Sequence, residues 1–332
     1  MVISLDIQRA FDNLQLSSIR NSLDKLKFNS KTTETLKDVL ENREVLLQTS
    51  QGTAAWSQQK GCAQGSCSGQ VFWNLVANKI LSEKWPPNIH LQAFADDFVF
   101  VVAESTRAKL KSAAQDALSI FKCWTDKHHL QISVEKSCNI LISKLVNGPT
   151  IKWNNVTIKR QQSLKYLGVT IDNKLNWIPH LLNTKTKATL LYQNLSRIAG
   201  STWGLKKEFR RHLYFTVAER MILHGASAWA YPLSSRQQRI LISIQRKFLL
   251  SISGASRTTS TAVLQVIEGI LPLHINAQAE ATYVRNFPQK RIPTYKQDGY
   301  FYRWVQNRGE NRLCPLRIPK RTNYSSVARQ TE

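Results

Sequence analysis

Two adjacent carboxylates, Asp96 and Asp97, stand in the middle of the run Leu91-Gln92-Ala93-Phe94-Ala95-Asp96-Asp97-Phe98-Val99-Phe100-Val101-Val102-Ala103, whose other members are almost all apolar. An unpaired charge taken into such surroundings costs several kcal/mol, so the pair needs either water or a compensating cation. The run reads as two strands, 91–94 and 98–103, with Ala95-Asp96-Asp97 at the turn between them. A hairpin tip can hold both acids at the lip of a cleft, where a divalent cation supplies the opposite charge. The plainer alternative is a solvated Asp-Asp turn. A third acid, Asp6, ends another alternating stretch, in which Ile3, Leu5 and Ile7 face one side of a strand and Val2, Ser4 and Asp6 the other. Open-cleft enzymes often put ligand groups near strand ends, although Asp also caps the helix that follows a strand, and Asp12 reads as a cap or turn residue.

Several elements must position these acids. Amphipathic spacing predicts helices over 17–28 (Ile19, Leu23, Leu26) and over 33–47 (Leu36, Val39, Leu40, Leu47). The small-residue loop from Gln59 to Gly69 leads into a helical pattern of Val71, Phe72, Leu75, Val76 and Ile80. Its glycines allow close backbone approach to a ligand, and a helix N-terminus favours an anion, but a Gly/Ser loop is also an ordinary connection. Residues 107–125 read as a helix with Leu110, Ala114, Leu118 and Phe121 on one stripe. A strand is expected at 140–143 and a further strand pair through Leu164–Asp172.

Composition narrows the partners. The chain has 332 residues, 42% of them hydrophobic, which is enough for a sizeable core and about two domains. Lys and Arg number 46 against 22 Asp and Glu, a formal charge of +24, so a polyanion is the expected partner. Nucleic acid fits better than a membrane, because the charge is spread along the chain and no apolar stretch approaches the roughly 18 residues of a spanning helix. No basic-then-apolar leader opens the sequence, so an intracellular location, nuclear or cytoplasmic, is expected. The five cysteines include no C-x-x-C pair, and Cys123, His128, His129 and Cys138 match no familiar zinc spacing.

Three segments in order, Leu5-Asp6-Ile7-x-x-Ala10-Phe11-Asp12, Gly61-Cys62-x-Gln64-Gly65-Ser66 and Phe94-Ala95-Asp96-Asp97, followed by Lys136 and by Leu164-Lys165-Tyr166-Leu167-Gly168, resemble the reverse transcriptases of non-LTR (LINE-like) retrotransposons over roughly residues 1–178. The resemblance implies an α+β fold: a right-hand polymerase palm, an antiparallel sheet with packed helices, followed by an α-helical thumb and connection region. It makes Asp6, Asp96 and Asp97 the catalytic, metal-binding carboxylates for two Mg²⁺ ions, with Mn²⁺ as a substitute, about 3.5–4 Å apart. Phe11, Gln64, Gly65 and Lys136 become the nucleotide-binding residues, Phe11 as the aromatic under the sugar that disfavours ribonucleotides. Tyr166, Leu167 and Gly168 become the primer grip. The family usually carries proline where this chain has Ala63.

From Asn176 the pattern changes to long helices with basic faces, over 180–198, 206–231 and 235–252, with another over 274–286. The family places its thumb here, and Lys206, Lys207, Arg210 and Arg211 are the expected contacts to a nucleic-acid backbone, which are salt-sensitive and sequence-independent. The organisation read from the sequence is a palm over 1–178, a thumb and connection over 179–286, and a basic, partly disordered tail over 287–332. Only about five residues precede Asp6, so the chain is expected to lack the family's fingers. The activity implied is addition of deoxynucleoside triphosphates to a primer on an RNA template, with RNA template and DNA primer, or their duplex, as partners. The alternative is an inactive remnant that only binds nucleic acid through its basic helices. Protein partners and oligomeric state are not legible.

Overall fold

In chain order, the strands among the described residues are β1 (Val2–Ile7), β2 (Glu44–Thr49), β3 (Gly52–Ser57), β4 (Ile89–Phe94), β5 (Asp97–Val102), β6 (Ile132–Ile140), β7 (Lys152–Trp153), β8 (Val156–Thr157), β9 (Lys159–Arg160), β10 (Ser163–Tyr166) and β11 (Val169–Asp172). They come from a computed structural model that describes residues 1–25, 29–41, 43–143, 148–198 and 204–286. The expected tail over 287–332 lies outside those residues. Five strands form one sheet in the order β4-β5-β1-β6-β9, antiparallel except between β6 and β9. The architecture is therefore α+β with a mainly antiparallel sheet.

β1 takes the central place because both of its faces are apolar for most of its length. Ile3, Leu5 and Ile7 point to one side and are at most 2% exposed. Beside them lie Phe98, Phe100 and Val102 of β5, also fully buried. Helices Leu16–Lys25, Cys67–Leu81 and Arg107–Lys127 cover this face. The last presents Leu110, Ala114, Ala117, Leu118 and Phe121 at helical spacing, and its Phe121 ring lies 5.0 Å from Phe98 and 5.5 Å from Phe100. Each buried side chain of this size stabilises by ~2–3 kcal/mol, and Phe98→Ala would cost ~3–5 kcal/mol through the cavity it leaves.

The opposite face carries Val2, Val99, Cys138 and Ile140. Leu164 of β10 packs on them, with Tyr166 and Ile171 alongside. The hairpin β10–β11 thus lies over the face to which alternation also turns Ser4, Asp6 and Asp97. A separate apolar cluster, built on Leu181, Tyr214, Trp229, Phe248 and Leu249, belongs to the helical region. There Ser235–Ser253 opens on a capping box between Ser234 and Gln237, which satisfies two otherwise free N–H groups. The described residues all fall in one compact unit.

Three expected elements differ from what is observed. The helix predicted over 33–47 is Ser30–Asp38, after which the chain turns into the hairpin β2–β3, all of whose side chains are exposed. Val45, Leu46 and Leu47 continued an apolar run but are strand residues. The strand expected at 140–143 is instead β6, which ends at Ile140. The helix over 206–231 is broken into Lys207–Leu213, a π-helical turn Tyr214–Glu219, Arg220–Ile222 and Ala226–Trp229. Gly225, at φ +67°, turns the chain there, and a Cβ on it would lie 2.6 Å from Val169 Cγ2. Thr261–Glu268 is an additional helix that the sequence pattern did not single out.

Candidate active site

Asp6 and Asp97 are direct partners across the β1–β5 ladder. Opposed residues of antiparallel strands have Cα atoms about 4.5–5.5 Å apart and side chains on one face. Phe94 pairs with Asp97, so the hairpin loop is two residues, Ala95-Asp96. Asp97 is accordingly the first residue of β5 and not part of the turn, which corrects the three-residue turn expected. Asp96 sits at the tip beside it. The three acids, remote in sequence, meet at one end of the sheet.

Their charges act on one another. Burial first, then the charges of Asp96 and Asp6, hold the Asp97 carboxyl above the ordinary aspartate value. Lys136 Nζ lies 3.8 Å from Asp6 Oδ2, with the lysine side chain 74% exposed and the aspartate 29%. An irregularity in β6 brings it there: Ser4 pairs with Cys138, but Asp6 pairs with Ser133, so β6 has three more residues than β1 between those pairs. Val134-Glu135-Lys136 are the excess, a bulge that re-aims a side chain beside a site. Ser137 closes it, accepting from the Asp6 N–H at 3.2 Å and donating to Ser133 O at 2.7 Å.

Three carboxylates are hard oxygen donors of the kind that divalent cations such as Mg²⁺ take, and the raised Asp97 carboxyl marks negative charge in need of a counter-charge. The residues fit such an ion by chemistry and by register. Among the described residues no three Asp, Glu, His or Cys side chains are drawn in to the spacing of a single ion, and Asp6 leans toward Lys136.

The other candidates are held by their own local structure. Phe11 is 8% exposed and its ring lies 5.7 Å from that of Trp73. The loop bearing Gln64 and Gly65 is laced to the same segment, with Gly61 N–H donating to Leu14 O at 2.7 Å and Cys62 N–H to Phe11 O at 2.9 Å. Gln64 and Gly65 themselves are exposed, just before helix Cys67–Leu81, which Ser66 caps by accepting from Gly69 N–H. Asp12 lies inside the helical turn Ala10–Asn13, whose N-cap is Arg9.

Tyr166 pairs with Val169, leaving Leu167-Gly168 as the hairpin turn with φ of +49° and +84°. Its hydroxyl is buried without a hydrogen-bond partner, and burial, then the Asp97 charge, push its pKa up to about 12. The primer-grip candidate and the acids therefore sense one another. His224 Nε2–H donates to Leu167 O at 2.9 Å, tying the turn to the helical region. The basic set divides. Lys206 and Arg211 are exposed, Arg211 lying over the Phe215 ring. Lys207 pairs with the buried Glu268 at 3.0 Å, and Arg210 donates to Leu205 O and Ser251 O.

Sequence reasoning missed Trp73, Ser137 and His224. Trp73 is 1% exposed and its Nε1–H donates to Ala95 O at 2.6 Å, at the acid turn itself. A tryptophan in a helical stripe signals packing, and nothing local indicates where its N–H goes.

A mainly antiparallel sheet thus carries helices on one face and an acid-tipped hairpin opposite a third acid on the next strand. The chain belongs to the reverse transcriptase (RNA-dependent DNA polymerase) family, whose model matches residues 1–171. That family generally uses divalent metal ions. A 115 kDa protein in the type-1 retrotransposable element R1DM of Drosophila melanogaster is 27% identical over 317 residues, covering 93% of this chain and 31% of that protein. The retrovirus-related Pol polyprotein from type-1 retrotransposable element R1 of Bradysia coprophila is 28% identical over 279 residues, covering 83% of this chain and 28% of that protein. The chain thus spans less than a third of either relative. The telomerase of Candida tropicalis in complex with a fragment of telomeric RNA aligns with a TM-score of 0.45 at 15% identity, covering 86% of this chain and 43% of that one. The resemblance drawn from the motifs to non-LTR retrotransposon reverse transcriptases holds. Among the described residues no helix is long and apolar enough to cross a membrane.

Proposed function

We propose that this chain is the palm and adjoining helices of an RNA-directed DNA polymerase that adds deoxynucleotides to a primer 3′-hydroxyl, with residues 1–178 as palm and 179–286 as thumb and connection. The observation that carries the reading is the direct opposition of Asp6 and Asp97 across the β1–β5 ladder, with Asp96 at the adjoining tip. Asp6, Asp96 and Asp97 would hold two divalent cations, Mg²⁺ with Mn²⁺ as substitute, which supply an activated 3′-hydroxyl and charge neutralisation at the leaving pyrophosphate.

The chain's own residues do the positioning. Phe11, backed by Trp73, offers a firm aromatic edge against the sugar. Gln64 and Gly65 lie exposed at a helix N-terminus, where backbone N–H groups and the dipole favour a phosphate. Lys136 is mobile enough on its exposed stem to leave Asp6 for the triphosphate, where an ammonium offsets charge and can protonate pyrophosphate. Tyr166, Leu167 and Gly168 lie over the acid-bearing face, where a primer terminus must come. Lys206 and Arg211 remain to meet backbone phosphates.

Primer extension on an RNA template with Mg²⁺, comparing the wild-type chain with Asp96→Asn, tests the reading. Extension by the wild type and a loss of about 100-fold or more in the variant is the expected result. If neither protein extends while both bind duplex equally, the chain is a nucleic-acid-binding remnant.

A further inference from the structure

We propose that Trp73 is a positioning residue for the acid turn, its indole N–H fixing the Ala95 carbonyl and thereby the place of Asp96 and Asp97 relative to Phe11. The inference rests on the polymerase reading of those acids. Four observations converge on this side chain. Its Nε1–H donates to Ala95 O at 2.6 Å. Its side chain is 1% exposed and the bond itself is part-buried. The same ring lies 5.7 Å from Phe11 and 6.5 Å from Phe98. It stands on helix Cys67–Leu81, which follows directly from the loop of Gln64 and Gly65. One rigid side chain therefore touches the β1-side aromatic, the first core residue of β5 and the turn between β4 and β5.

The turn has reason to need such a hold. Ala95 sits at φ +52°, a left-handed conformation that costs a residue with a Cβ ~1 kcal/mol or more and is kept only where the surroundings over-determine it. In a two-residue loop the Ala95 carbonyl lies outside the strand ladder, and the loop's Asp96, together with Asp6, repels the charge on Asp97 just after it. A buried indole N–H must find an acceptor. Trp124 supplies the contrast: its Nε1–H reaches a helix carbonyl, that of Val76, at 3.3 Å, and not a turn. Phosphoryl transfer is sensitive to such placement, since ~1 Å can cost ~100-fold in rate.

The experiment uses the full chain and the variants Trp73→Phe, which keeps an aromatic ring and deletes the donor, and Asp97→Asn. Three quantities are read: amide hydrogen exchange of residues 93–98, Mn²⁺ affinity, and primer extension as kcat against KM. For Trp73→Phe the expected results are exchange at 93–98 faster by ~10-fold and Mn²⁺ bound ~10-fold more weakly, a hydrogen bond's worth in each. The kcat should fall at least as much, with KM for the nucleotide within about twofold. Exchange in Arg107–Lys127 and in β10–β11 should be unchanged, which separates a local release from general loosening. Wild-type exchange at 93–98, or Mn²⁺ affinity equal to wild type while Asp97→Asn loses it, overturns the inference and leaves the acid site standing. Equal Mn²⁺ binding by wild type and Asp97→Asn overturns the acid site and the inference with it. Should Trp73→Phe not fold, the indole N–H resonance of Trp73 in the wild type decides. Slow exchange and broadening by Mn²⁺ that Asp97→Asn abolishes support the inference, and a freely exchanging N–H refutes it.

Discussion

Asp97→Asn should make the protein more stable at neutral pH, although it removes a carboxylate from the middle of a candidate active site. Asp97 is held protonated more readily than an ordinary aspartate by burial and by the charges of Asp96 and Asp6, so the folded state binds a proton more tightly than the unfolded chain. Stability contributed by that carboxyl therefore falls as pH rises from about 4, the unfolded value, through the raised folded value, and stays low above it. Directly opposed like charges on neighbouring strands destabilise by up to about 1 kcal/mol. With Asp6 across the ladder and Asp96 adjacent, removal of one charge should return ~1–2 kcal/mol, toward the lower figure because the site faces water. For a chain of this size that is ~1.5–3 °C in Tm. The substitution also raises an already large positive net charge, but at 0.15 M salt the Debye length of ~8 Å leaves the contact term dominant.

The assay is urea unfolding of both proteins between pH 4 and pH 8, without divalent cations and then with Mg²⁺. The stability difference should vanish near pH 4 and reach its plateau above the folded value. Mg²⁺ should reverse the order, because a ligand at 100 times its Kd stabilises by ~2.7 kcal/mol only the protein that binds it. A variant less stable than wild type at pH 7 in chelator, or one with the same Mg²⁺ response, would refute the convergence of the three acids.

Three further outcomes are expected. Gly168→Ala places a Cβ at φ +84° and 3.0 Å from His224 Nε2, and should cost ~1–2 kcal/mol in urea unfolding. Tyr166→Phe removes a buried hydroxyl that has no partner, so unfolding should change by less than ~0.5 kcal/mol, and spectroscopic titration should lose one tyrosine ionising at about 12. His128 and His180 have pKa values lowered to about 4, foremost by burial; their stabilisation is complete above the unfolded value of about 6.5 and is lost as pH falls toward 4, about 2 kcal/mol each by pH 5, which a comparison of urea midpoints at pH 7 and pH 5 measures.

The sequence made the acids legible because strand alternation is a local signal. Ile3, Leu5 and Ile7 against Ser4 and Asp6 already assign Asp6 to the face away from the helices, and the apolar run around Asp96-Asp97 leaves them only the tip. What alternation cannot give is pairing. That Asp97 opens β5 instead of sitting in the turn follows from its partnership with Phe94. The bulge that delivers Lys136 exists only relative to β1. The exposed hairpin β2–β3 was hidden because Val45, Leu46 and Leu47 extend a helical stripe when no partner strand is in view. The long helix expected over 206–231 failed at Gly225, whose turn is fixed by close approach to Val169 in β11, a contact more than fifty residues away. Lys207 and Arg210 looked like free cations because Glu268 and the carbonyls of Leu205 and Ser251, which engage them, are chosen by the fold.

The two turns closest to the acids share a construction. Ala95 and Leu167 each hold a positive φ without being glycine, and the carbonyl of each accepts a side-chain N–H from a helical segment: Trp73 to Ala95 and His224 to Leu167. The donors come from opposite sides of the sheet, Trp73 from the helices beneath it and His224 from the helical region that adjoins β10–β11. Strain of ~1 kcal/mol or more per residue survives in a fold only where neighbouring structure fixes it independently, and here each grip is anchored in a different apolar cluster. The spacing between the Asp96–Asp97 tip and the Tyr166–Gly168 turn is then set by the two cores jointly. His224 therefore couples the Leu167–Gly168 turn to the helical region, while Trp73 couples the Ala95–Asp96 turn to the helices under the sheet.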